Sequence, residues 1–125
     1  ARAKDLATVF FLSPTTEKRR MAAIIKASTG FIYYVSVAGV TGARTDLPAD
    51  VVAKVKTIKT LTDKPVCIGF GVSSPEQVKA MADIADGVIV GSAIVKRIEE
   101  MNASPELVTK VSEFVATLVQ PLIRA

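Results

Sequence analysis

The sequence contains no histidine, and its 125 residues include a single cysteine, Cys67. Without histidine, the chain lacks the most common metal ligand and the most common general base at neutral pH. One cysteine cannot form a disulfide within the chain, and its apolar surroundings, PVCIGF, predict a small buried side chain. These absences exclude a disulfide-stapled scaffold and any site built on histidine.

Long hydrophobic runs are also missing. No stretch reaches the ~18 apolar residues that a membrane helix needs, and the start shows no signal-peptide pattern. The net charge of +4 is mild, and basic residues cluster tightly only at residues 18–20, where a helix would expose them to solvent. We therefore expect a cytoplasmic protein that binds neither membranes nor nucleic acid. The length predicts one domain, residues 1–125.

Four short apolar runs predict the strands of a parallel sheet. They are almost continuously apolar, as expected of strands buried on both faces; they comprise residues 7–12, 31–36, 66–70 and 87–90. Amphipathic segments lie between and after them, and a further helix fits residues 93–100. This alternation predicts an α/β fold with outer helices. Four βα units suit either a small open sheet or half of an eightfold barrel, which needs about 250 residues.

Two helix starts carry the same signal, a serine followed by proline and glutamate. Ser74 is followed by Pro75 and by Gln77, at the position that a capping box requires. Ser104 repeats the serine and proline, so it too is predicted to cap a helix. In that last helix, residues 107–122, the apolar positions form one stripe that we expect to face the core.

Glycines follow three of the predicted strands at their carboxyl ends. The segments GVTG, GFG and GS bring Gly42, Gly71, Gly91 and Ser92 to this edge. Ligands of α/β folds bind there, and the last two βα turns of a barrel often hold a phosphate. Glycine lets the backbone approach an anion, and the first N–H groups of the next helix are unpaired. Each segment alone could be a tight turn or a cap, but two in consecutive turns predict a phosphate site.

Candidate catalytic side chains are few. Tyr33 and Tyr34 stand near the end of the second strand, where alternation sends one inward and the other towards the helices. Among the acids, only Asp46 lies in a candidate site loop, residues 36–48, and it could equally cap the following helix. That loop has about a dozen residues where two to six would connect the elements. No pair of carboxylates can be assigned as general acid and base.

Three strings occur in order along the chain: GFIYYVSVAGVTGARTDLP, PVCIGFGVSSPEQV and ADGVIVGSAIV, preceded by SPTT at residues 13–16. Together they resemble the tryptophan synthase alpha subunit family over nearly the whole chain. The resemblance implies a TIM barrel, of which this chain would be the C-terminal half, strands five to eight. It also implies a lyase of tryptophan biosynthesis that cleaves indole-3-glycerol phosphate to indole and glyceraldehyde 3-phosphate. The subunit itself would hold no cofactor, because pyridoxal phosphate belongs to its beta subunit partner.

The resemblance also assigns roles to residues. The substrate and its phosphate would contact Gly42, Phe70, Gly71, Ile89, Gly91 and Ser92, with Tyr33 near the reacting part. Residues 36–48 would be a lid that closes over the substrate, and Thr41 would form a hydrogen bond to the catalytic aspartate when the lid is closed. The family's catalytic glutamate and aspartate belong to the second barrel strand and the following loop. Neither position occurs in these 125 residues, so the chain alone is expected to be inactive.

Two other interpretations remain open. The chain could be a non-catalytic half-barrel, whose unpaired outer strands close a barrel with a second copy or with an N-terminal half. It could instead be another phosphate-binding barrel enzyme, such as those of the thiazole or histidine pathways. The three strings together argue against this last interpretation.

Overall fold

The computed structural model describes residues 2–36 and 47–123. The strands and helices are β1 (Phe10–Leu12), α1 (Lys18–Ala27), β2 (Ile32–Val35), α2 (Ala49–Thr60), β3 (Val66–Gly69), α3 (Pro75–Ala82), β4 (Gly87–Val88), α4 (Ser92–Glu100) and α5 (Leu107–Val119). Short 3₁₀ helices lie at Arg2–Lys4 and Gln120–Leu122. The predicted alternation is confirmed, and the additional helix is α4. Within these ranges, no helix is long and apolar enough to span a membrane.

The four strands form one parallel sheet in the order β1-β2-β3-β4. Each strand therefore pairs with its neighbours in sequence, and one row across the sheet joins Phe11 to Tyr33, Tyr33 to Cys67 and Cys67 to Gly87. Successive right-handed crossovers in one direction place their helices on one face. This is the winding of a barrel rather than of a doubly wound sheet, in which the strand order reverses.

The hydrophobic core lies between one face of the sheet and helices α1, α2, α3 and α5. The strands contribute alternate side chains, and the helices cover them with their apolar stripes; the central members are Leu12, Ile32, Tyr34, Val66, Ile68, Met21, Val51, Val55, Ile58, Val78, Met81 and Leu118. Burial of one such side chain contributes roughly 1.5–3 kcal/mol. This face of the sheet is the one that holds the fold together.

The opposite face of the sheet is not covered by the described residues. We call it the open face: Phe11, Tyr33, Val35, Cys67 and Gly87. Phe11 is 63% exposed, and burial alternates along β2 between buried and half-buried positions. The prediction that the strands are buried on both faces is therefore wrong for this part of the chain, because helices cover one face only. Cys67 is likewise half-buried rather than buried, and burial followed by the charge of Asp86 raises its pKa.

The two tyrosines of β2 point to opposite faces, as predicted. Tyr34 is 1% exposed and belongs to the core. Burial, with a smaller effect of the Asp50 carboxylate, raises the pKa of its phenol. Tyr33 is half-buried on the open face, which leaves it available to a ligand.

The capping box at the start of α3 is confirmed. The Ser74 Oγ accepts the Gln77 N–H at 3.3 Å, and the Gln77 Oε1 accepts the Ser74 N–H at 3.2 Å. The matching prediction at Ser104 is wrong, because α5 begins at Leu107 and the Ser104 Oγ accepts the N–H of Glu106 at 3.2 Å in the preceding turn. A leucine at the third position has no side-chain acceptor to complete the box.

The apolar stripe of α5 is buried over only part of its length. Leu118 is buried and Phe114 packs against the core, whereas Val108 is 73% and Val119 is 42% exposed. The prediction that the whole stripe faces the core is therefore wrong. The described residues bury the stripe most deeply at Leu118, and its exposed positions are free to contact a further element.

Candidate functional site

The turn between β3 and α3 presents Phe70 and Gly71 at the carboxyl edge of the sheet. Val72 anchors this turn, because its side chain is 2% exposed within the core. Gly71 has a φ of +66°, a left-handed conformation that favours glycine. A Cβ atom at Gly71 would meet nothing within 4 Å, and Phe70 is 51% exposed. The turn is therefore anchored by Val72 and open to approach.

The capping box determines which backbone donors of this turn a ligand could use. The Gln77 Oε1 accepts the N–H groups of Ser73, at 2.9 Å, and of Ser74, at 3.2 Å. In the part of the chain that the structure describes, the N–H groups of Gly71 and Val72 donate no hydrogen bond. A ligand at this turn would therefore meet the donors of Gly71 and Val72.

Helix α4 begins without a side-chain cap. Its N-cap residue is Gly91, whose carbonyl accepts the N–H groups of Ile94 at 2.9 Å and Val95 at 3.1 Å. The N–H groups of Ser92 and Ala93 open the helix and so have no acceptor within it. The positive end of the helix dipole adds to the attraction that these donors exert on an anion.

A cavity of about 320 Å³ connects these two turns. Its lining comes from the β3–α3 turn, from α4 and from α5; the residues are Ser73, Ser92, Ala93, Lys96, Arg97, Glu100 and Phe114. The two glycine turns that follow consecutive strands therefore border a shared space. Sequence reasoning identified Ser92 but missed Ser73, Lys96 and Arg97, although Lys96 lies one helical turn after Ser92, a spacing that could have indicated it.

Tyr33 is fixed on the open face by two contacts. Its hydroxyl donates a hydrogen bond to the Gly69 carbonyl at 3.4 Å. Its ring meets Phe11 edge to face, with 5.2 Å between the ring centroids. The row of paired residues from Phe11 through Tyr33 and Cys67 ends at Gly87, so side-chain size decreases across the sheet. The open face consequently offers most room above β3 and β4, beside the glycine turns.

Ile89 lies close to β3 because Gly69 has no side chain. Its N–H donates to the Ile68 carbonyl at 2.9 Å, and a Cβ atom on Gly69 would come within 2.4 Å of the Ile89 carbonyl oxygen. The half-buried Ile89 therefore stands at the edge where β4 ends. The residues Thr41, Gly42 and Asp46, with most of the predicted lid, lie outside the described residues.

The titratable pair Lys59 and Asp86 lies at the other edge of the sheet, where β3 and β4 begin. The Lys59 Nζ stands 2.6 Å from the Asp86 Oδ1, and the Val66 N–H donates to the Asp86 Oδ2 at 2.9 Å. The Lys59 hydrogen bond, followed by that of Val66, lowers the pKa of the Asp86 carboxyl. This carboxylate joins structural elements and is remote from the glycine turns. Across residues 2–36 and 47–123, no three His, Cys, Asp or Glu residues are grouped to hold a metal.

The fold and the glycine turns together define a class: the second half of a (β/α)₈ barrel, with open βα turns after its last two strands. The family model described as "Tryptophan synthase alpha chain" matches residues 1–122. The chain belongs to the tryptophan synthase alpha chain family. This finding confirms the resemblance that the three strings indicate.

Individual relatives agree with this assignment. The chain is 49% identical over 111 residues to a tryptophan synthase alpha chain of Carboxydothermus hydrogenoformans, covering 89% of this chain and 42% of that relative. It is 45% identical over 124 residues to one of Rhizorhabdus wittichii, covering 99% of this chain and 45% of the relative. The chain thus spans less than half the length of these curated relatives, whose C-terminal half it matches.

Solved structures show the same correspondence in three dimensions. The chain superimposes on a structure of the tryptophan synthase α2β2 complex from Pyrococcus furiosus with a TM-score of 0.81 and 36% identity, covering 95% of this chain and 48% of that one. A mutant alpha subunit from the same organism gives a TM-score of 0.79 at 32% identity, over 95% of this chain and 47% of that one. The predicted half-barrel fold is confirmed.

Proposed function

We propose that this chain is the phosphate-holding half of a tryptophan synthase alpha subunit. In that subunit it takes part in cleaving indole-3-glycerol phosphate to indole and glyceraldehyde 3-phosphate during tryptophan biosynthesis. The observation that carries the proposal is that the two glycine-containing turns reach one cavity, through Ser73 and Ser92. Gly71 is held in a left-handed conformation, and Gly91 begins a helix without a side-chain cap.

The phosphate binds to backbone donors at these turns. The N–H of Gly71 and the first N–H groups of α4, at Ser92 and Ala93, surround the anion, and the Ser92 hydroxyl adds a further donor. A side chain at position 71 would occupy the approach to this site. The family resemblance also implies a contact between the phosphate and Gly42, in the loop after β2, and this contact remains a prediction.

The rest of the substrate lies above the open face. Its glycerol and indole portions occupy the space above β3 and β4, where the side chains on the open face are smallest, at Cys67 and Gly87. The exposed Phe70 ring and the Ile89 side chain wall this space, and Tyr33 faces it between Phe11 and β3. Thr41 and the lid over residues 36–48 complete the site as the resemblance implies, and they too remain predictions.

Proton transfer depends on a second polypeptide segment. Breaking the carbon–carbon bond needs a general acid and a general base aligned with the indole ring and a glycerol hydroxyl. The Asp86 carboxyl has a lowered pKa, but it binds Lys59 and the Val66 N–H. It lies at the edge of the sheet opposite the glycine turns, so it cannot reach a substrate bound there. We infer that the two carboxylates come from the N-terminal half of the barrel.

The partners follow from the same proposal. The N-terminal half of the barrel covers the open face, and a beta subunit binds the completed barrel, as the α2β2 architecture of the Pyrococcus furiosus relative suggests. Pyridoxal phosphate would belong to that beta subunit, and this chain would hold no cofactor of its own. The cytoplasmic location remains a prediction.

A hybrid barrel tests the proposal. The N-terminal half of the Carboxydothermus hydrogenoformans alpha chain is fused to this chain, and indole release from indole-3-glycerol phosphate is measured. We expect the hybrid to release indole, the chain alone to release none above background, and separately produced halves to recover cleavage when mixed. Gly71→Val in the hybrid should abolish binding of glycerol 3-phosphate.

Two outcomes would contradict the proposal. Cleavage by the chain alone would mean that one of its own carboxylates, Asp46 first, acts as acid or base. A hybrid that folds, as judged by circular dichroism, but binds no glycerol 3-phosphate, or binds it equally well after Gly71→Val, would remove the phosphate site.

A further inference from the structure

We propose that Lys96 is an anion-binding residue of the same site, which supplies the positive charge that the backbone donors lack. The inference rests on the proposed phosphate site and deepens it. It concerns the cavity beside Ser92 and the charged side chains that α4 brings into it, none of which the sequence motifs identify.

Lys96 lies beside the start of α4. Lys96 follows Ser92 by four residues on α4, so the two side chains share one face of the helix. Both line the cavity, together with Ser73 of the β3–α3 turn. The Lys96 side chain is 76% exposed, so its four-carbon stem can carry the ammonium group towards a ligand at the start of the helix.

The neighbouring charges give the second step. The Glu100 carboxylate lies 3.4 Å from the Arg97 Nη1 and 3.9 Å from the Lys96 Nζ. The Arg97 guanidinium also lies 5.0 Å from the ring centroid of Phe114 on α5, so Arg97 has one contact on its own helix and one with α5. The Lys96 contact is longer than a hydrogen bond. Of the two cations that line this cavity, Lys96 is therefore the less tightly held and the more available to bind an anion.

The charge of the ligand supplies the third step. A phosphate monoester carries about −1.5 to −2 charges at pH 7, whereas a helix N-terminus is equivalent to roughly +0.5. The described residues that would touch the phosphate, Gly71, Gly91 and Ser92, are all uncharged. An ammonium group one helical turn away compensates part of the remaining negative charge, and it does so more strongly at low ionic strength.

The test is titration calorimetry of the hybrid barrel with glycerol 3-phosphate and with inorganic phosphate at several salt concentrations. Lys96→Met should weaken binding about threefold at low salt. The difference should vanish near 1 M salt, where the Debye length is about 3 Å. Lys96→Arg should keep most of the affinity. Lys79→Met is the matched control, because Lys79 is 65% exposed in an equivalent pair with Asp83 at 3.6 Å and lies away from the cavity lining.

A second variant separates charge from folding. Glu100→Gln removes the carboxylate that competes for Lys96, so anion affinity should rise about twofold at low salt; damage to the fold cannot strengthen binding. Because Glu100 also contacts Arg97, combining Glu100→Gln with Lys96→Met should cancel this rise. If the unmodified hybrid binds phosphate but Lys96→Met leaves the affinity and its salt dependence unchanged, the role of Lys96 is overturned while the phosphate site stands. The absence of a rise after Glu100→Gln, or a rise that persists when Lys96→Met is combined with it, would also overturn it. A hybrid that binds no phosphate removes both.

Discussion

Gly71 and Gly91, the glycines of the two turns that reach the cavity, differ in their need for a glycine residue. Gly71 has a φ of +66°, whereas Gly91 has a φ of −122°, and a Cβ atom at either position would meet nothing within 4 Å. Space therefore does not distinguish them. Backbone conformation does, and this difference cannot be read from the sequence, in which both glycines simply follow an apolar strand.

This contrast predicts different costs for the same substitution. Gly71→Ala should lower the free energy of unfolding by about 1–2 kcal/mol, because an alanine Cβ is disfavoured in the left-handed region. Gly91→Ala should cost no more than about 0.5 kcal/mol, the loss of a tolerated glycine N-cap. Urea unfolding of the two hybrid barrels checks the difference, and equal costs would contradict the conformational argument.

Asp86 leads to a pH-dependent prediction. Its pKa is lowered in the folded state by Lys59 and Val66. The stabilisation is therefore present above the unfolded pKa of about 3.9 and is lost as pH falls through the lower folded value. Asp86→Asn should cost about 0.5–1 kcal/mol at pH 7, since this pair is partly exposed and screened by solvent.

Urea unfolding at pH 7 and near pH 2.5 measures this effect. The variant and the unmodified hybrid should differ at pH 7 and converge at the acidic end. Lys79→Met, which removes an exposed ion pair with Asp83, serves as the control. A cost for Asp86→Asn that persists unchanged to low pH would show that the carboxylate charge is not its source.

At the scale of elements, two identical sequence signals have different structural outcomes. Ser74 caps α3 in a reciprocal box with Gln77, whereas Ser104 stabilises a turn before α5. The decisive residue is the third after each serine, a glutamine in one case and a leucine in the other. A box needs a side-chain acceptor at that position, so the first helix start could be predicted in full and the second only to within a few residues.

Serine-to-alanine substitutions should reproduce this difference. Ser74→Ala should lower the free energy of unfolding by about 1 kcal/mol, the usual cost of losing a helix cap. Ser104→Ala should cost about 0.5 kcal/mol or less, because it removes one hydrogen bond of an exposed turn. Thermal unfolding of the hybrid barrels compares them, and a larger loss for Ser104→Ala would reassign it as a cap.

The strands show a second limit of sequence reasoning. Their almost continuous apolar runs correctly predicted a parallel sheet, yet Phe11 and Tyr33 face outward here. The exposed positions Val108 and Val119 of the α5 stripe follow the same rule. The apolar pattern of a sequence reflects all the contacts of the complete barrel, including contacts with parts outside this chain. The two glycine turns after β3 and β4 were predictable from the sequence, whereas the contact of Arg97 with Phe114 depends on how α4 packs and was not.

At the scale of the whole molecule, the open face predicts association. Among residues 2–36 and 47–123, one sheet face is uncovered, with Phe11 63% exposed, and β1 and β4 are edge strands; such a surface should pair with an N-terminal half or, failing that, with a second copy. Sedimentation velocity of the chain alone should therefore show species heavier than its 13.2 kDa. Phe11→Ser should weaken self-association, whereas Leu61→Ser, at a 54% exposed position on the helical side, should not. A chain that stays monomeric at ~100 µM would contradict this interpretation.

The sequential strand order has a consequence for synthesis on the ribosome. Each new strand meets a partner that has already emerged, because β2 pairs with β1, β3 with β2 and β4 with β3. Translation proceeds at about 5–20 residues per second, so each βα unit has seconds to dock before its successor leaves the exit tunnel. The nascent chain can thus add one βα unit at a time to the edge of the sheet. At every stage, the edge strand is the pairing partner of the next strand.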